Sequence, residues 1–195
     1  GVAATFKAPA DITTDGTNLY VLDDVSNSIR KIEIATGVVT TLAGSGANST
    51  VDGIGIAASF WAPKGITTDG TNLYVTETMG AIRKVVIATG AVTTLAGPGT
   101  LFTSANGTGA AASFSGPQGI TTDGTNLYVA EATGNKIRKI VIATAVVTTL
   151  AGSGTGAVVD ATGVAASVFA PSGITTDGSS LYVSETGSRK IRKIQ

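Results

Sequence analysis

The chain of 195 residues contains no histidine and no cysteine. Their absence removes Ser-His-Asp triads, cysteine nucleophiles, zinc sites built from His or Cys, and any disulfide framework. Charge is scarce as well: 13% of residues are charged, and 13 basic side chains balance 13 acidic ones. A nucleic-acid or anionic-membrane binder draws affinity from counterion release and needs a basic surplus, so neither partner is expected. Aromatics make up 5% of the sequence, too few to interleave the basic dipeptides with stacking platforms. No stretch reaches the roughly 18 uninterrupted apolar residues of a membrane span. What is plentiful is apolar content, at 43%, and glycine, at 26 residues. That balance excludes intrinsic disorder and suits one domain.

Self-similarity dominates the sequence. Ile-Thr-Thr-Asp-Gly recurs with its acid at Asp15, Asp69, Asp123 and Asp177, each 54 residues after the last. Tyr20, Tyr74, Tyr128 and Tyr182 keep the same step, as do Pro9, Pro63, Pro117 and Pro171. Within one unit, Gly65 to Thr68 reads as a strand a, followed by the turn signal Asp69-Gly70-Thr71-Asn72. Leu73 to Glu77 alternates as strand b, Ile82 to Ile87 forms strand c, and Val92 to Leu95 forms strand d. A loop of about twenty small residues leads to the next strand a, and helical periodicity is absent. A four-stranded antiparallel unit repeated at this period predicts an all-β chain, a β-propeller of four blades. The whole chain, 1–195, is one domain with repeats at approximately 1–54, 55–108, 109–162 and 163–195.

The motifs Pro-x-Gly-Ile-Thr-Thr-Asp-Gly-Thr-Asn-Leu-Tyr-Val, Ile-Arg-Lys-Ile, Val-Thr-Thr-Leu-Ala-Gly and Asp-Gly-x-Gly-x-Ala-Ala-x-Phe resemble the NHL repeat. More narrowly they are similar to tandem arrays in large secreted or surface proteins of bacteria. The resemblance covers essentially the whole chain. It implies a propeller, usually of more blades than four, that serves as an interaction platform outside the cell. A minority of the family are lyases that rely on histidine, and this chain has none to match them. Where the family often carries Asn-His-Arg, this sequence has Ser26-Asn27-Ser28, Met79-Gly80-Ala81, Gly134-Asn135-Lys136 and Gly187-Ser188-Arg189.

Four units carry strands a, b and c, but only three carry strand d, so the last blade is expected to end on an open edge. The chain is then part of a longer array, or completes a ring with other chains, or adds head-to-tail in a filament.

The repeated turn acids are expected to close their own a–b turns through backbone hydrogen bonds rather than to form a ring that holds a cation. Asp23, Glu77, Glu131 and Glu185 at the end of strand b are expected to pair across the ladder with Arg30, Arg83, Arg138 and Arg192. Their presence in every blade points to structure, since a catalytic group would be unique to one blade. Contact residues are sought instead among side chains private to one blade: Trp61, Lys64, Met79, Phe102 and Gln118. The sequons at Asn48 and Asn106 fall in the long loops. Together these features predict a non-enzymatic scaffold, extracellular or on the cell surface, that binds a protein or glycan partner or self-assembles. No cofactor and no metal are expected. Two alternatives stand beside it: a cation-dependent propeller lyase or hydrolase, and a filament subunit joined through the open blade edge.

Overall fold

The computed structural model describes residues 3–99 and 103–195. Its strands form four antiparallel sheets, one for each repeat, arranged as a four-bladed β-propeller. Blade 1 runs β1 (Pro9–Thr14), β2 (Asn18–Asp23), β3 (Ser28–Glu33) and β4 (Val39–Ala43) in spatial order. Blade 2 comprises β5 (Gly53–Ile54), β6 (Pro63–Thr68), β7 (Asn72–Glu77), β8 (Ala81–Val86) and β9 (Ala91–Ala96). Blade 3 comprises β10 (Gly107–Thr108), β11 (Pro117–Thr122), β12 (Asn126–Glu131), β13 (Lys136–Val141) and β14 (Val146–Ala151). Blade 4 has β15 (Pro171–Thr176), β16 (Leu181–Glu185) and β17 (Lys190–Ile194), with no fourth strand among the described residues. The first strands β1, β6, β11 and β15 pack consecutively against one another.

Blades 2 and 3 have five strands rather than four. The loop leaving blade 1 folds back as β5 on the outer edge of β9, and β10 does the same on β14. Two residues are too short to show alternation, so the sequence read as plain loop there. A single turn of 3-10 helix, Gly55–Ala57, follows β5, and the Gly55 N–H donates to Gly90 O at 2.9 Å.

Blades 2 and 3 are apolar on both faces, because each is sandwiched between neighbours. The face of blade 1 toward blade 2 presents Tyr20, Leu22, Ile29 and Ala43; they meet Ile66, Leu73, Val75, Val85 and Val92 of blade 2. Phe60 from the crossover loop fills the seam. The next seam repeats this with Tyr74 and Ile82 against Ile120, Leu127, Val129 and Ile140, filled by Phe114. The third joins Ala130 and Ile137 to Leu181 and Val183. The inner strands approach one another closely at glycines. A Cβ on Gly65 would lie 2.4 Å from the Gln118 carbonyl oxygen, and one on Gly119 would lie 2.3 Å from that of Ser172.

The crossover loops are pinned by buried arginines. Arg83, wholly buried, donates to the Glu77 carboxylate at 2.6 Å, to Ser59 O at 2.9 Å, to Val51 O at 3.1 Å and to Asp52 at 2.7 Å. Its guanidinium stacks on Phe60, 5.5 Å from the ring centroid. Arg138 repeats the arrangement with Glu131 at 2.7 Å, Ser113 O at 3.1 Å, Ala105 O at 2.9 Å and Phe114 at 5.3 Å. Arg192 pairs with Glu185 at 3.1 Å. Burial pushes the Glu77 and Glu131 carboxyls up, against the pull of Arg83 and Arg138.

Blade 1 departs from the expected pairing. Asp23 and Arg30 form no ion pair among the described residues. The shorter Asp23 side chain instead accepts the backbone N–H groups of Lys7 and Ala8 at 2.9 and 2.8 Å. Arg30 turns to Thr5 O at 3.0 Å and stacks on Phe6.

The turn acids do close their turns. Asp69 accepts the N–H groups of Thr71 and Asn72 at 2.8 and 2.6 Å, and the Tyr74 hydroxyl at 2.8 Å. Partial burial pushes the Asp123 carboxyl up, but hydrogen bonds from Asn126, Thr125 and Tyr128 outweigh it and hold the group at about 2. Asp15, Asp69 and Asp177 are likewise lowered. Burial and the Asp15 carboxylate push the Tyr20 hydroxyl up to about 12.

Three outcomes follow. Gly65→Val forces a side chain into the Gln118 carbonyl and is expected to cost about 1–3 kcal/mol in urea unfolding. Arg83→Met strands a buried carboxylate and is expected to cost about 3–5 kcal/mol, whereas Arg30→Met, beside an acid with its own donors, should cost about 1 kcal/mol. A carboxyl lowered on folding gives stability that is full above its unfolded value and lost as it protonates. The melting temperature should therefore fall as pH drops from about 4 toward about 2, and replacing the four turn acids with Asn should flatten that dependence.

Candidate functional site

The ladder registers decide which residues share an end of the molecule. Pro63 lies opposite Glu77, Glu77 opposite Ala81, and Ile82 opposite Ala96. The start of each first strand, the turn between the second and third strands, and the exit of the fourth strand therefore gather on one rim. The Asp-Gly turns occupy the opposite rim.

Trp61, Lys64, Met79 and Gln118 all belong to the first of these rims. Trp61, 36% exposed, lies two residues before β6, and its backbone N–H donates to the Glu77 carboxylate. Met79 is half-buried in the turn between β7 and β8. Phe102 lies outside the described residues. Lys64 and Gln118 sit on the inner strands, where they line a cavity of about 500 Å³ shared by all four blades.

That cavity is built from equivalent positions with unlike side chains. The second residue of the four inner strands is Ala10, Lys64, Gln118 and Ser172; the third is Asp11, Gly65, Gly119 and Gly173. The Lys64 ammonium reaches Asp24, in the turn after β2, at 2.5 Å. Asp11 occupies a place that is glycine in the other blades. Its carboxylate accepts the N–H of Ile66 at 2.8 Å and of Ile12 at 2.9 Å, which ties blade 1 to blade 2. Burial pushes the Asp11 carboxyl up, and those two bonds oppose it. Gln118 contributes its backbone oxygen to the Thr76 hydroxyl at 2.6 Å.

Reading the sequence for private residues located Lys64 and Gln118 but passed over Asp11 and Asp24. Both break the repeat: Asp11 replaces the glycine of Pro-x-Gly, and Asp24 stands where the other blades have Thr78, Ala132 and Thr186. The rim thus offers one cation, two carboxylates, an amide and a hydroxyl around a concave mouth, with an indole nearby. Such a set can bind and orient a polar ligand.

No protein-family model and no curated protein matches the chain. Solved structures do resemble it. A protein of unknown function from Bacteroides thetaiotaomicron is 23% identical, with a TM-score of 0.76 over 94% of this chain and 46% of its own. An auxiliary nutrient binding protein from the same organism is 18% identical, with a TM-score of 0.74 over 95% of this chain and 47% of its own. Virginiamycin B lyase from Staphylococcus aureus, solved as a catalytically inactive variant with quinupristin, is 20% identical at a TM-score of 0.60, over 95% of this chain and 50% of its own. The chain spans about half the length of these proteins. At such identities the likeness shows the fold, and the fold is that of a β-propeller.

Proposed function

We propose that the chain is a non-enzymatic binding module built of NHL-like repeats, working outside the cell or at its surface, that holds a glycan or protein partner at the variable rim. The observation that carries this reading is a segregation of residues. Side chains common to the blades seal seams, pin loops or close turns, while Ala10, Lys64, Gln118 and Ser172 differ at equivalent places around one cavity. Repeat scaffolds bind through such differences, because identical positions are already committed to stacking the units. The likeness to nutrient binding propellers accords with a module of this kind. The likeness to a lyase favours a second reading, a cation-dependent enzyme, for which carboxylates would have to replace histidine.

Screening the protein on a glycan array, followed by calorimetry of any hit, tests the first reading. Lys64→Ala combined with Gln118→Ala should weaken binding roughly tenfold or more, while Asp177→Asn, on the opposite rim, should leave it unchanged. Affinity untouched by the rim variant would overturn the reading, and turnover of a bound ligand that depends on added calcium or manganese would favour the second.

A further inference from the structure

The three seams inside the molecule are built from equivalent positions, and the described residues carry both halves of a fourth, unmade. On the side of blade 1 that faces away from blade 2, Ile12 is 54% exposed, whereas its equivalents Ile66 and Ile120 are 3% and 5% exposed. Phe6, the equivalent of the seam-filling Phe60 and Phe114, is half-buried. With Pro9, Val21 and Ile32 these residues line an open apolar hollow of about 330 Å³. On the far side of blade 4, Ile191 is 71% exposed, whereas Ile29, Ile82 and Ile137 are wholly buried. Together with Tyr182, Ser184 and Gly173 it lines a second hollow, of about 350 Å³.

Blade 4 also keeps the polar fittings of a seam it does not make. In blade 2 the Gly65 N–H donates to the Thr76 hydroxyl at 2.9 Å, and that hydroxyl donates to Gln118 O of the next blade at 2.6 Å. Blade 4 repeats the first half: the Gly173 N–H donates to the Ser184 hydroxyl at 2.9 Å. Gly65 and Gly119 are glycines beneath the backbone carbonyl of the following blade, whereas among the described residues no carbonyl lies over Gly173. The residue whose carbonyl would complete the arrangement is the one equivalent to Gln118. In blade 1 that residue is Ala10, beside Ile12.

We propose that a second copy of this chain occupies these faces, blade 4 of each copy seated on blade 1 of the other, so that two copies close one eight-bladed ring. Tyr182 and Ile191 would pack on Ile12, Val21, Ile32 and Phe6, and the Ser184 hydroxyl would donate to Ala10 O of the second copy. The occupant follows from complementarity, because each face is one half of a seam that this chain makes three times internally. The copy number follows from reciprocity: seating blade 4 of each copy on blade 1 of the other leaves neither face open, and four blades from each copy give eight. Closure by a face-to-face seam also differs from the strand exchange suggested by the open edge of blade 4, for the contact is made by side chains.

Sedimentation velocity at micromolar concentration tests the assembly without reference to any ligand. The unaltered chain should run at twice its 19.2 kDa mass. Ile12→Asp and Ile191→Asp, both at exposed positions, should each run as a monomer with an unchanged melting curve, while Ile56→Asp, exposed on the crossover loop, should remain a pair. Mixing the Ile12→Asp and Ile191→Asp chains leaves one seam intact and should restore a weaker pair. A monomeric unaltered chain, a ladder of larger species, or a pair indifferent to both face variants would each overturn the proposal.

Discussion

The guanidinium buried between a sheet and the strap that crosses it is the interaction on which the rest of this molecule depends. Arg83 and Arg138 each draw two backbone carbonyls of the incoming loop and a glutamate of their own blade to one cationic centre. In doing so they place Phe60 and Phe114 against the seam. Loop order and seam packing are therefore one event: the aromatic ring reaches the seam only when the strap is held. An arginine suits the task because its planar, permanently charged fork satisfies several acceptors at once, which a lysine could not do. Burial of such a group is tolerated because the glutamate and the carbonyls replace its water.

Much of this architecture was legible in the sequence because repetition multiplies weak signals. One Asp-Gly between two short β-rich runs is an ordinary turn, but four at a fixed period define blades. Regularity also separated structural residues from candidate contacts, and so led to Lys64 and Gln118 at the cavity. What stayed hidden left a signal too short or too isolated to interpret. The strands β5 and β10 are two residues each, and their recurrence read only as a loop motif. Asp23 was grouped with the glutamates by position, yet a side chain one methylene shorter bonds the adjacent backbone instead of Arg30. Asp11 and Asp24 were in plain view as breaks in the pattern, but their meaning rests on which strand ends converge, and only the register supplies that.

The two rims divide the labour of the fold. One carries turns whose acids, tyrosines and backbone amides satisfy each other and leave little to vary. The other collects the loops and strand starts, where length and side chain change from blade to blade. Such segments tolerate change because they lie outside the ladders, while the scaffold beneath holds them in fixed relation.

The uniformity of the seams has an evolutionary consequence. Since successive seams reuse equivalent positions of a 54-residue module, an array of this type can be lengthened or shortened by whole modules through unequal recombination, with most of each new junction already matched. Circumference then becomes a heritable trait that shifts in discrete steps. Novelty in recognition needs no more than divergence at one edge of a freshly duplicated module.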